Sequence, residues 1–120
     1  VDRLLASEMI RMLCILMPNW VFESLGLPPP LGTDGGFHDF IPSRIPREEV
    51  ERIVKAIPPK VSAHYAFAGT VEQLVEEIAS YHAAGLRHLV MWNITGLGDP
   101  DLARFSFEAM NELQTELKAL

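Results

Sequence analysis

The sequence predicts an α/β fold with two parallel strands, about four helices and one long loop. Three observations lead to this fold class. Near the C-terminus, a strand pattern, a helix pattern and a second strand pattern follow one another across tight turns, an order typical of parallel pairs. Elsewhere apolar residues recur at the three- and four-residue spacing of helices. A stretch dense in glycine and proline interrupts these patterns.

Composition places the chain among folded proteins and disfavours some classes of binding partner. Its 120 residues are 48% apolar and 22% charged, whereas disordered chains combine low hydrophobicity with high charge. One domain, residues 1–120, is expected at this length. The net charge of −6 disfavours nucleic acids and anionic membranes. A single cysteine, Cys14, excludes a disulfide scaffold and suits a reducing compartment, so we expect a cytoplasmic protein.

The first element is a helix over residues 2–17 that is apolar on nearly all sides, which predicts burial on several sides. The apolar stretch is shorter than the ~20 residues of a membrane span, and Arg11 interrupts it before Pro18 ends it. Its flanks differ from those of a secretory signal. So small a chain offers little interior for such a helix, and it starts at Val1 rather than Met. We therefore expect a segment of a larger domain.

Residues 26–46 form the long loop, with nine glycines and prolines in 21 positions. Loops of this length often act as lids or binding loops. The aromatic residues in its middle, Phe37 and Phe40 around His38 and Asp39, either cover a ligand or anchor the loop to the core.

A second helix begins at Pro46, a residue suited to the first helical position. Val50, Ile53, Val54 and Ile57 then mark one apolar face. Pro58 and Pro59 end the helix. Residues 61–67 fit either a third strand or a helical turn.

The strand–helix–strand unit consists of a strand at 66–68, a helix at 70–84 and a strand at 88–92. Thr70 and Gln73 have the spacing of a capping box at the helix start. Gly85 has the place of a left-handed residue after the helix end. A loop at 93–99 follows, and Asp99 then caps a last helix, residues 101–119, with Pro100 at its first position.

Residues 67–74 (Phe-Ala-Gly-Thr-Val-Glu-Gln-Leu) and 84–90 (Ala-Gly-Leu-Arg-His-Leu-Val) carry a family resemblance. They resemble the C-terminal end of the bacterial luciferase-like monooxygenase superfamily, in which a Gly-Thr-Pro-Glu-Glu-like helix start and an Ala-Gly turn precede a strand. Val71 stands where the family has proline, which leaves the cap intact. Residues 92–100 (Trp-Asn-Ile-Thr-Gly-Leu-Gly-Asp-Pro) are similar to the deazaflavin-dependent branch, especially its mycobacterial ketoreductases of phthiodiolone-type lipids.

The resemblance implies that the chain is the C-terminal portion of a (β/α)8 TIM barrel, with strands seven and eight at 66–68 and 88–92. It also implies an oxidoreductase that transfers a hydride from a reduced deazaflavin coenzyme to a ketone of a long-chain lipid. The acid–base residues of related enzymes lie in the N-terminal half and cannot be placed on this sequence, so the chain alone is expected to be inactive. Two alternatives remain: an FMN-dependent monooxygenase of the same superfamily, and a non-catalytic truncated product or interaction module.

Functional loops of such barrels follow the C-terminal ends of the strands, which selects the candidate site residues. Gly69 and Thr70 are candidates for cofactor binding, since a helix start favours anions; the alternative is that Thr70 only caps its helix. Trp92 and Asn93 are candidates for substrate binding by stacking and amide contact; the alternative is core packing. His64 is a further substrate-binding candidate, or a structural histidine.

No metal site is expected. The four histidines His38, His64, His82 and His88 show no i, i+4 pair, and the chain lacks an HExxH motif. Cys14 lies on the buried helix and is interpreted as a packing residue rather than a nucleophile. The exposed strand edges and apolar faces of an open barrel predict a homo-oligomer.

Overall fold

The computed structural model describes residues 1–32 and 40–120, and within them the regular structure is helical. Helices are α1 (Asp2–Leu5), α2 (Glu8–Cys14), α3 (Asn19–Ser24), α4 (Arg47–Ala56), α5 (Pro59–Tyr65), α6 (Val71–Ala83), α7 (Thr95–Gly98) and α8 (Ala103–Leu117), with 3-10 turns at Pro42–Arg44 and Pro100–Leu102. The chain divides into two compact units. We call Asp2–Ala66 the N-terminal unit, and Phe67–Leu120 together with Val1 the C-terminal unit.

The predicted α/β fold is wrong, because the residues that the structure describes contain no β-strand. Residues 66–68 and 88–92, the expected parallel strands, lie in irregular backbone, and the TIM-barrel portion has no counterpart here. A strand exists only where its main-chain groups pair with a neighbouring strand. Apolar and β-branched residues favour a position in a sheet, but they cannot supply the neighbouring strand. Of the two possibilities for 61–67, the structure shows a helix, α5.

The N-terminal unit is built around one apolar cluster. Its buried members are Cys14, Ile15, Met17, Val21, Phe22, Ile53, Val54, Ile57 and Val61. The expected helix at 2–17 is broken before α2, because Ser7 has the extended backbone of an N-cap residue, and α2 ends at Cys14. Across residues 1–32 and 40–120, no helix is long and apolar enough to cross a membrane.

The predicted apolar face of α4 is confirmed. Ile53 and Val54 are buried, as is Ile57 just after the helix, and Val50 packs partly buried against the same cluster. A polar contact also ties α4 to α2. The Arg11 guanidinium donates to the carbonyls of Val54 at 3.4 Å and Ile57 at 3.3 Å. These carbonyls lie at the C-terminal end of α4, where a cation is favoured by the helix dipole.

Helix α3 is not predicted by the apolar pattern, which stops at Pro18. It ends in a glycine motif at Gly26, whose φ is +69°. The Leu27 N–H donates to the Phe22 carbonyl at 2.9 Å, and the Gly26 N–H to that of Glu23 at 3.0 Å. This pair of bonds is a Schellman motif. Downstream, Phe40 packs against the apolar cluster, as an anchoring residue would; Phe37, His38 and Asp39 lie outside the described residues.

The C-terminal unit pairs α6 with α8, and Ile78 and Leu113 are the apolar residues buried in its described part. The predicted end of α6 is confirmed. Gly85 has φ +109°, the Leu86 N–H donates to the Tyr81 carbonyl at 2.9 Å, and the Gly85 N–H to that of His82 at 3.0 Å. The last helix starts later than predicted: the Asp99 carboxylate accepts from the Asp101 N–H at 3.2 Å, which caps a 3-10 turn ahead of α8.

Candidate functional site

Gly69 and Thr70 lie at the start of α6, where Thr70 and Gln73 form the predicted capping box, which is confirmed. The Thr70 N–H donates to Gln73 Oε1 at 2.9 Å, and the Gln73 N–H donates to Thr70 Oγ1 at 3.4 Å. A Cβ added to Gly69 would lie 2.8 Å from Gln73 Oε1. Gly69 therefore leaves room for the Gln73 side chain to reach back to the helix start, and this contact gives the glycine a structural function.

The same helix start holds a negative charge. A hydrogen bond from the Thr70 hydroxyl, and then one from the Glu72 main chain, lower the pKa of the Glu72 carboxyl. An anionic ligand group at this helix start would therefore meet a charged carboxylate, and it would compete for donors already in use. The cofactor-binding function of Gly69 and Thr70 remains a prediction.

Asn93 fastens the segment after residue 92 to α8. Its Oδ1 accepts from the Thr95 N–H at 3.1 Å, and its Nδ2 donates to Ser106 Oγ at 3.1 Å. The first bond closes an Asx turn ahead of α7. Gly96, within α7, lies so close to α8 that an added Cβ would be 3.1 Å from Ala103 Cβ. Both oxygen and nitrogen of the Asn93 amide thus hold the backbone that carries Trp92.

Trp92 projects into solvent rather than into a core, with 69% of its surface exposed. Other apolar side chains of the C-terminal unit are also exposed: Leu89, Val90, Leu97, Phe105 and Phe107. Since Phe105 and Phe107 flank Ser106, the bond from Asn93 to Ser106 brings this turn next to the first exposed aromatic residues of α8. Core packing is therefore not the function of Trp92 in this structure, and ligand stacking remains a prediction.

His64 is exposed on α5 and belongs to the N-terminal unit. Gly69, Thr70, Trp92 and Asn93 all belong to the C-terminal unit. Within that unit, the hydrogen bonds of Thr70 stay in α6 and those of Asn93 run to α7 and α8. The structure accordingly shows two local arrangements, a helix cap and a turn with an exposed indole, and the hydrogen bonds of these residues do not join them.

Cys14 makes polar contacts that the sequence pattern did not indicate. The Cys14 thiol donates to the Ile10 carbonyl at 3.4 Å and lies 3.7 Å from Ser62 Oγ, both within the buried interface of α2 and α5. Burial raises the pKa of the Cys14 thiol, although the Ser62 hydroxyl and the Arg11 charge oppose the shift. A neutral buried thiol is a poor nucleophile, which agrees with the packing function predicted for Cys14.

Among residues 1–32 and 40–120, no group of three or more His, Cys, Asp or Glu side chains is placed to hold a metal ion. A shallow groove of about 160 Å³ lies in the N-terminal unit between α3, α4 and the prolines at 28–30. The groove of the N-terminal unit does not include any of the candidate residues. Its lining is apolar except for Arg52, which is paired with Glu49.

Comparison with known proteins finds distant similarity to enzymes called phthiodiolone/phenolphthiodiolone dimycocerosates ketoreductase. The chain is 28% identical over 94 residues to that of Mycobacterium kansasii, an alignment covering 78% of this chain and 26% of the relative. For the protein of Mycobacterium tuberculosis strain H37Rv, identity is 26% over 94 residues, covering 78% and 25%. For that of Mycobacterium sp. strain JLS, it is 27% over 123 residues, covering 100% and 32%.

The chain thus spans about a quarter to a third of the length of these relatives. No protein-family model matches it. No solved structure matches it significantly. The resemblance to the ketoreductases expected from residues 67–100 is supported at this distance.

Proposed function

We propose that the chain is part of an oxidoreductase that reduces a ketone in a long-chain lipid. The observation that carries this proposal is the similarity to the ketoreductases, at 28% identity over 94 residues. Reduction of a ketone adds a hydride to the carbonyl carbon and a proton to its oxygen. Because the chain spans only part of these relatives, the reaction belongs to a larger protein, and this chain contributes part of its binding surface.

We infer a deazaflavin coenzyme as the hydride donor, on the basis of the similarity of residues 92–100 to the deazaflavin-dependent branch of the luciferase-like superfamily. When bound, this coenzyme supplies the hydride, while the protein supplies orientation and surroundings. The exposed Trp92 indole offers a flat apolar face suited to a planar ring or an acyl chain. The start of α6 suits an anionic group less well, because its own hydrogen bonds and the Glu72 carboxylate occupy it.

In this proposal Trp92 contacts the ligand and excludes water, and Asn93 is a positioning residue. The Asn93 amide bonds to Thr95 and Ser106 set the direction of the preceding backbone. No acid or base for the carbonyl oxygen is assigned to this chain. We place the reaction in the cytoplasm, where a reducing environment keeps Cys14 a thiol.

The two tryptophans provide a matched pair for a test. Trp92 lies in the C-terminal unit and Trp20 in the N-terminal unit, with 69% and 67% of their surfaces exposed. We would titrate Trp20→Phe and Trp92→Phe, each with one remaining indole, with reduced deazaflavin and separately with FMN. Light absorption by the coenzyme attenuates both fluorescence signals alike, so a saturable difference reports contact with one indole.

In the Trp20→Phe variant, the deazaflavin should quench the fluorescence of Trp92 saturably. In the Trp92→Phe variant, it should cause no saturable quenching of Trp20 fluorescence. Saturable binding of FMN without binding of the deazaflavin would replace this proposal by the FMN-dependent alternative. Quenching by neither coenzyme would contradict a coenzyme-contacting function and favour a non-catalytic chain.

A further inference from the structure

Ser106 is one of three serines that bond back to their own helix in the part of the chain that the structure describes. The hydroxyls of Ser24, Ser80 and Ser106 each donate to the carbonyl three residues earlier, at 2.7, 2.6 and 2.7 Å. A serine hydroxyl has one hydrogen and two acceptor lone pairs. This bond commits the hydrogen, so in any other bond the serine oxygen can only accept.

Ser106 differs from the other two serines because its oxygen accepts a second hydrogen bond. Within residues 1–32 and 40–120, it is the one of the three that accepts from another side chain. The donor is Asn93 Nδ2, which lies 3.1 Å away and 13 positions earlier in the sequence. Both side chains are half-buried, so water replaces a lost bond between them only in part.

The two ends of the Asn93 amide have opposite polarity, and the structure specifies both. At one end, the Thr95 main-chain N–H can only donate, so it must meet the amide oxygen, Oδ1, which lies 3.1 Å away. At the other end, Ser106 Oγ can only accept, so it must meet Nδ2. An amide turned over would place two donors together at one end and two acceptors at the other. Ser106 and Thr95 therefore allow one orientation of the amide.

The Asn93 amide is the hydrogen-bonded anchor that lies next to Trp92. The main chain of residues 88–92 makes no hydrogen bond in the described chain. Since 69% of the Trp92 surface is exposed, packing contributes little to holding its indole. The direction of the indole therefore depends on the backbone at Asn93.

We propose that Ser106 is a positioning residue for the Trp92 indole, because it accepts from Asn93 and so keeps the amide in one orientation. The hydrogen bonds run from the Ala103 carbonyl through Ser106 and Asn93 to the Thr95 N–H. The first turn of α8 thereby holds the backbone that carries the indole. The consequence for coenzyme binding rests on the proposed function, whereas the effect on the indole itself does not.

Time-resolved fluorescence anisotropy of the full chain measures how freely this indole moves, in the Trp20→Phe background where Trp92 is the remaining tryptophan. Ser106→Ala should enlarge the fast component of the anisotropy decay. Ser80→Ala is the matched control, because it removes the same bond to a carbonyl three residues earlier but no bond to another side chain. Ser106→Thr keeps a hydroxyl that can bond back to the helix and accept from Asn93, and should restore the parent decay. Circular dichroism checks that each variant keeps its helices.

A double-mutant cycle tests whether Ser106 acts through Asn93. Asn93→Ala should enlarge the fast component as Ser106→Ala does, and the double variant should match Asn93→Ala alone. NMR of the parent chain tests the amide orientation without any variant. The side-chain NH2 protons of Asn93 should show stronger Overhauser contacts to the β protons of Ser106 than to the amide proton of Thr95.

Titration with reduced deazaflavin in the same Trp20→Phe background tests the consequence for binding. Ser106→Ala should raise the dissociation constant about fivefold, the effect of one hydrogen bond, whereas Ser80→Ala should stay within about twofold of the background. No saturable binding by Trp20→Phe itself would contradict the proposed function. The anisotropy and the NMR contacts would then still decide the positioning function of Ser106, because neither needs the coenzyme.

Three results would overturn the positioning function of Ser106: equal anisotropy decays in Ser106→Ala and Ser80→Ala, an effect of Ser106→Ala that adds to that of Asn93→Ala, or Overhauser contacts from the Asn93 NH2 that favour Thr95. Coenzyme binding that is unchanged in Ser106→Ala, despite a freer indole, would contradict the consequence for binding.

Discussion

Thr70 shows how much of a local structure one side chain can determine. Its main-chain N–H and its hydroxyl oxygen exchange hydrogen bonds with Gln73, and its hydroxyl lowers the pKa of the Glu72 carboxyl. These partners are two and three residues away in sequence, so the pattern could be recognised without the fold. The function of Thr70 toward a ligand could not be recognised in this way. Only the structure shows that Gln73 and Glu72 already use the hydrogen-bonding groups of Thr70.

We expect Thr70→Ala to lower the free energy of unfolding by about 1 kcal/mol, the usual effect of losing a threonine cap. Urea unfolding followed by circular dichroism measures it. Thr115→Ala is the matched control, because Thr115 lies inside α8 and its hydroxyl bonds only to the Asn111 carbonyl. Equal losses in the two variants would contradict the capping function of Thr70.

The loss of stability in Thr70→Ala should also depend on pH. The pKa of Glu72 is lowered in the folded chain, so its stabilising contribution is present above the ordinary glutamate pKa. That contribution is lost as the pH falls through the lowered value. In Thr70→Ala the pKa of Glu72 should rise toward its ordinary value, as measured by NMR titration of its carboxyl group. The deficit in stability should then shrink in acid. Thr70→Ser keeps a hydroxyl and should keep the pKa low; an unchanged pKa in Thr70→Ala would contradict the assignment.

At the scale of elements, helix ends were more predictable than helix number. The end of α6 at Gly85 followed from sequence, since positive φ at that position needs glycine. The break between α1 and α2 at Ser7 did not, because a nearly continuous apolar pattern hides a cap residue. The contact of Arg11 with the end of α4 was not predicted either, because these residues are more than forty positions apart.

Arg11→Met keeps the apolar stem of the side chain but leaves the Val54 and Ile57 carbonyls without the guanidinium. We expect a loss of about 1–2 kcal/mol in the free energy of unfolding, as for a hydrogen bond to a charged group. The comparison is Arg47→Met, since Arg47 is exposed and paired only with Glu51 at 2.8 Å. Exposed pairs of this kind contribute about 0.3–0.5 kcal/mol. A larger loss in Arg47→Met than in Arg11→Met would contradict this reasoning.

At the scale of the whole molecule, burial is unequal between the two units. The apolar cluster of the N-terminal unit has nine buried members, whereas Ile78 and Leu113 are the buried apolar residues in the described C-terminal unit. Apolar burial is the main source of stability, so local stability should differ in the same direction. Residues 88–92, whose main chain makes no hydrogen bond in the described chain, should be the least protected.

Hydrogen exchange measured by mass spectrometry on dilute protein checks this order. Amides of α4 and α5 should exchange more slowly than those of α6 and α8, and the amides of 88–92 should exchange fastest. Equal protection of both units would contradict the unequal-burial argument.

The sequence alone determined what depends on neighbours within a few residues. The apolar face of α4, the capping box at Thr70, the glycine end of α6 and the packing function of Cys14 all follow from local patterns. Tertiary structure decided the rest, because strand formation and ligand contact need partners that sequence periodicity does not contain. Residues 88–92 have the composition of a strand but no strand beside them. Trp92 has a large apolar side chain typical of a core, but it is exposed to solvent. A local preference becomes a strand or a core only when another surface supplies its hydrogen bonds and contacts.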